Sequence, residues 1–148
     1  MRRRLVTGFL VAAGAGVAVV VLVLSAGPAV AASWSAPVSI DASNSINSLS
    51  CPTASFCAVV DGTGHAVTHS GTSWSAVSSI DPSTNLTSVS CPTASFCVAV
   101  DMSGRELTYN GTSWSAANSI DSGHKFVSVS CPTASFCAAV DSDGDALT

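Results

Sequence analysis

Positive charge is nearly absent from this chain beyond its first four residues. Of its five lysines and arginines, three are Arg2, Arg3 and Arg4. Only Arg105 and Lys125 then stand against nine acidic residues, a net charge near −7 for the remainder. Without a basic surface, nucleic acid and anionic lipid headgroups are excluded as partners. Glutamate occurs once, at Glu106, and no second acid pairs with it, so the two-carboxylate arrangement of a glycosidase is unsupported. No serine stands in a Gly-x-Ser-x-Gly turn. His65 and His69 share a strand face but lie well apart along it, and His124 falls in another repeat, so the histidines read as exposed strand residues rather than chelators. No catalytic, cofactor-binding or metal-binding residue is expected, and the chain reads as non-enzymatic.

The one long hydrophobic run opens the chain. Met1-Arg2-Arg3-Arg4 precedes an apolar stretch from Leu5 to Leu24, then the helix-breaking Ser25-Ala26-Gly27-Pro28 and the small residues Ala29 to Ala32. Residues 1–32 read as a secretory signal peptide cleaved near Ala31 or Ala32. The apolar run exceeds the usual h-region, which leaves open an uncleaved N-terminal membrane anchor. Either way the residues from Ser33 onward are expected outside the cell. All six cysteines lie there, an even number in an exported chain, which implies a disulfide framework.

Self-similarity at a period of 40 residues organises the rest. Cys51, Cys91 and Cys131 keep that step, as do Cys57, Cys97 and Cys137, and Trp34, Trp74 and Trp114. Asp61, Asp101 and Asp141 keep it too, and Ser-Cys-Pro-Thr-Ala-Ser-Phe-Cys stands unchanged at 50–57, 90–97 and 130–137. Repeats are assigned to 33–73, 74–113 and 114–148, the last one truncated. Each reads as four short antiparallel strands. Asn47–Cys51 alternates, Pro52-Thr53-Ala54-Ser55 is a turn, and Phe56–Val60 is apolar on both faces. Asp61-Gly62-Thr63-Gly64 is a tight connection. In the second copy a third strand covers Glu106–Tyr109, Asn110-Gly111 turns, and a fourth strand runs from Trp114 to Ile120. Strand-and-turn spacing of about ten residues argues all-β. Cys51 and Cys57 flank the first hairpin, so Cys51–Cys57, Cys91–Cys97 and Cys131–Cys137 are the economical pairing. The loop-closure account gives about 2–2.5 kcal/mol to each bridge.

Two architectures use such units. Blades of a β-propeller pack between two neighbours and need central strands apolar on both faces, which Phe96-Cys97-Val98-Ala99-Val100 supplies. A β-trefoil closes three units of this length, and three are present. The pattern Ser-Val-Ser-Cys-Pro-Thr-Ala-Ser-Phe-Cys-Val-Ala-Val-Asp (88–101) followed by Leu-Thr-Tyr-Asn-Gly-Thr-Ser-Trp-Ser (107–115) resembles the blade repeat of secreted, mostly uncharacterised proteins of high-GC Gram-positive bacteria. The resemblance covers essentially all of 33–148. It implies propeller blades, in a family with more copies than this chain carries. The sequence thus reads as a fragment of a longer propeller. Self-association of two short chains into six blades and a trefoil-like monomer stay open.

Three features invite a functional reading. The tryptophans Trp34, Trp74 and Trp114 are expected in core or inter-blade packing, with ligand stacking, as platforms for sugar rings, as the alternative. Asp141-Ser142-Asp143-Gly144-Asp145 invites calcium, but its glycine is misplaced for an EF-hand-like loop, the closing glutamate is missing, and a plain hairpin turn is expected. Gly-Thr-Ser-Trp at 71–74 and 111–114 partly resembles the Asp-box turn of sialidase-type propellers, with His69 and Tyr109 in place of the aspartate. The single arginine beyond Arg4 argues against that activity. The leading expectation is a secreted or cell-envelope binding module for an unknown glycan, peptide or protein. The alternative is part of a propeller hydrolase or lyase with its active site elsewhere.

Overall fold

The computed structural model describes residues 33–148, and the expected signal peptide or anchor at 1–32 lies outside the described residues. Among the described residues there are strands and turns and no helix. The 40-residue period forms three antiparallel sheets, the first two running past the assigned repeat boundaries at 73/74 and 113/114. The first contains β1 (Ile46–Thr53), β2 (Phe56–Asp61), β3 (His65–Ser70) and β4 (Ser73–Trp74) in that order, with β5 (Ser78–Ser79) also paired to β3. The second runs β6 (Leu86–Thr93), β7 (Phe96–Asp101), β8 (Arg105–Tyr109) and β9 (Asn118–Ser119). The third runs β10 (Phe126–Thr133), β11 (Phe136–Asp141) and β12 (Ala146–Leu147).

The first hairpin of every sheet carries its expected disulfide: Cys51–Cys57, Cys91–Cys97 and Cys131–Cys137, with Cα atoms 4.0–4.1 Å apart. The strands run on past the cysteines to Thr53, Thr93 and Thr133, so Pro52, expected in the turn, sits within β1. The register slips between Ser50↔Ala58 and Thr53↔Phe56, and the extra residue there is where a proline without an N–H is tolerated. Three disulfides are consistent with an extracellular location. Among the described residues no helix is long and apolar enough to cross a membrane.

The expected continuous fourth strand is instead split. Tyr109 meets Trp114 in a single bridge, Ser115 N–H still donates to Thr108 O at 2.8 Å, Ala116 and Ala117 leave the ladder, and pairing resumes at β9. The cause is a serine. Ser115 Oγ accepts the N–H of Thr108 at 3.0 Å and donates to Ala116 O at 2.9 Å, taking the place of a backbone partner. Ser75 does the same with Thr68 and Ala76 in the first sheet.

The first sheet packs on the second and the second on the third. Phe56, Ala58, Val60 and Ala66 of the first sheet meet Leu86, Val89, Cys97, Ala99, Leu107 and Tyr109 of the second. Val98 and Val100 then meet Phe126, Val129 and Ala139 of the third. The middle strand β7 is therefore covered on both faces, as its apolar run requires. Side-chain hydroxyls tie the sheets in register: Val89 N–H donates to Ser48 Oγ at 3.1 Å, and Val129 N–H to Ser88 Oγ at 3.2 Å. Cys91 N–H and Cys131 N–H donate likewise to Ser50 and Ser90, both at 2.9 Å. Two N–H groups on the free edge of each of β6 and β10 are thereby satisfied by the preceding sheet. Among the described residues no closed sheet is formed.

Candidate functional site

Two features stand out from the repeating frame, and the first is a groove. It has a volume of about 630 Å³ and lies between the outer segment of the first sheet (75–80) and the Thr112–Ser115 turn of the second. The turn is held by Asn110, whose side-chain oxygen accepts from Thr112 N (3.0 Å), Ser113 N (2.9 Å) and the Thr112 hydroxyl (2.8 Å). That places Tyr109 and Trp114 on the groove wall, their rings 5.4 Å apart, and Tyr109 stacks in turn on Phe56 at 5.9 Å. The rest of the lining is hydroxylic or aliphatic, with Thr68, Ser78, Ser79 and Ser113 beside Val77 and Ile80, and no charged side chain.

The three equivalent tryptophans differ in setting. Trp114 is half-buried, packs on the core and lines the groove. Trp74 is half-buried, edge-on to His69 at 5.0 Å. Trp34 is 96 % exposed. One sequence position thus yields three surroundings, and Trp114 alone of them lines this groove.

The second feature is a carboxylate corner, repeated wherever an outer segment approaches the Asp-turn that follows it in the chain. In the middle corner Arg105 bridges two acids. Its Nε donates to Asp101 Oδ2 at 2.7 Å, and Nη2 lies 2.8 Å from Asp81 Oδ2, a charge contact without hydrogen-bond alignment. Asp81 and Asp101 are both buried. In the first corner His65 stands where Arg105 does. Its Nδ1 lies 2.9 Å from Asp61 Oδ2, with Asp41 beside them. Burial works against the charged form of Asp61, yet the N–H groups of His65 and Thr63 and the Thr63 hydroxyl hold its carboxyl well below the usual carboxylate range.

In the third corner the matching position holds Asp145, another acid. Asp141 is 6 % exposed, and its Oδ1 accepts from Asp143 N, Gly144 N and Asp145 N at 2.8–3.0 Å. These donors, Asp145 foremost, keep its carboxyl ionised below the ordinary range despite burial. Its Oδ2 is buried with no hydrogen-bond partner among the described residues. His124 Nδ1 lies 2.7 Å from Asp121 Oδ1, and that hydrogen bond, then the aspartate's charge, raises the imidazole above its usual pKa. Each corner joins two aspartates 20 apart inside one assigned repeat, Asp41 with Asp61, Asp81 with Asp101 and Asp121 with Asp141, and no local pattern signals that they meet. The available clue is a position that reads His65, Arg105 and Asp145 in otherwise similar turns. Glu106 only accepts a hydrogen bond from Asn118, at 3.3 Å.

Comparison with protein-family models, curated proteins and solved structures finds no match for this chain.

Proposed function

We propose that this chain is an exported, non-enzymatic binding module built of propeller-type blades, and that the groove at Tyr109 and Trp114 receives a neutral carbohydrate. The observation that carries the reading is the groove lining: an aromatic pair beside hydroxyls, with no charge. Ring faces suit the apolar side of a sugar, and hydroxyls suit its polar rim. The blade reading is supported by a linear stack in which each inner interface uses the same positions. Val89 and Val129 are buried at 4 % and 7 % exposure, whereas Leu49 at the same position of the first sheet is 57 % exposed. At the opposite end Phe136 is 51 % exposed, where Phe56 is buried. An array of neutral oligosaccharides tests the function. Binding is expected for the parent chain and for Trp34→Ala and Trp74→Ala, and its loss for Trp114→Ala. Binding that survives Trp114→Ala, or no binding to any glycan, refutes the reading.

A further inference from the structure

We propose that the corner between the second and third sheets is a binding site for one divalent transition-metal ion, held by Asp121, His124 and Asp141. Ligand atoms of these three side chains all lie within 4.8 Å of one another. Four-coordinate ligands on zinc stand about 3.3 Å apart, so small side-chain rotations bring them to coordination distance. The molecule carries its own comparison. At the middle corner the same two carboxylate positions, Asp81 and Asp101, share the guanidinium of Arg105 at 2.8 and 2.7 Å respectively. The third corner keeps both acids, loses the arginine and gains Asp145 in its place, with Asp143 nearby. A fixed internal cation is thus exchanged for extra negative charge.

The corner is more than an acidic cluster, because Asp141 Oδ2 is buried and lacks a partner. A buried carboxylate oxygen left without a donor is costly. Protonated His124 does not relieve it. The imidazole donates to Asp121 through Nδ1, and its Nε2 lies 3.9 Å from Asp143 Oδ2. By the equivalence with Asp101, Oδ2 is the oxygen that faces the cation position. One imidazole nitrogen with two carboxylates suits zinc or manganese, whereas calcium prefers an all-oxygen shell.

Equilibrium dialysis of the oxidised chain against ZnCl2, MnCl2 and CaCl2 separately, with thermal melts in each, tests the site. One zinc or manganese ion per chain and a raised melting temperature are expected. His124→Ala should weaken binding by about tenfold or more. Asp145→Arg, which restores the middle corner's arrangement and keeps the fold, should abolish binding and raise the metal-free melting temperature. His65→Ala, at the first corner, should change neither. The assignment is overturned by any of three results: no stoichiometric zinc or manganese, binding indifferent to His124→Ala and Asp145→Arg, or binding lost in His65→Ala instead.

Discussion

Gly104→Ala adds one methyl group where the second sheet receives its outer segment. Gly104 has φ +75°, and a Cβ built there falls 1.7 Å from the carbonyl oxygen of Asp121. That oxygen belongs to backbone and cannot rotate away. Moving it also breaks the bonds that Ile120 N and Asp121 N donate to Gly104 O, at 3.0 and 2.9 Å. The left-handed conformation costs an alanine about 1–2 kcal/mol. Two backbone hydrogen bonds at about 1 kcal/mol each bring the total to about 3–4 kcal/mol. Gly71 is the internal control, with φ +67° and nothing within 4 Å of its Cβ position. Gly71→Ala should therefore cost only the conformational part, about 1–2 kcal/mol. Urea unfolding of the two oxidised variants, followed by circular dichroism and tryptophan fluorescence, measures both. If their losses agree within about 0.5 kcal/mol, the closure of the outer segment onto Gly104 is wrong.

Three further outcomes are expected. Arg105→Met leaves Asp81 and Asp101 buried without their shared cation and should destabilise by about 3–5 kcal/mol, read by the same unfolding; a loss below about 1 kcal/mol would mean the pair is effectively solvated. Ser88→Ala removes the acceptor of the buried Val129 N–H and should cost about 1–3 kcal/mol, with faster amide exchange at Val129. For pH, the signs differ between groups. Asp61, lowered from 3.8, stabilises above that value and loses its contribution as acid titrates through its lowered folded value, so melting temperatures should fall below about pH 4. His124 is raised, so its contribution is complete below 6.5 and lost as pH climbs through the folded value. Its imidazole NMR midpoint should lie above 6.5 and return toward it in Asp121→Asn.

Much of the frame was legible in the sequence because local chemistry decides it. Cysteines six apart across a two-stranded turn can reach each other in any context, and Asn110-Gly111 encodes its turn whatever lies beside it. What escaped depends on neighbours in space. The split of the fourth strand follows from one serine hydroxyl competing with backbone, and serine is too common here for Ser75 or Ser115 to be singled out. The Ser48 and Ser88 hydroxyls bond backbone 41 residues away, a pairing that repeat alignment displays but does not explain. The tryptophans were expected to behave alike because they align, yet Trp34, Trp74 and Trp114 take different neighbours. Locally the turn at 141–145 is a hairpin closed by the bonds to Asp141 Oδ1. Its proximity to Asp121 and His124 lies outside anything a local pattern carries.

Three identical Cys-Pro-Thr-Ala-Ser-Phe-Cys segments in one chain pose a hazard during oxidation, since every thiol has five chemically similar suitors. The hairpin placement answers it through order of arrival. Each bridge spans six positions, so both of its thiols are synthesised within a few residues of each other, and their turn brings them together before the next pair is made. Closing so short a loop takes well under a microsecond, against about two seconds or more for the following 40 residues to be synthesised. Local proximity then favours the correct partner over the distant thiols, and each added copy brings its own nearby pair.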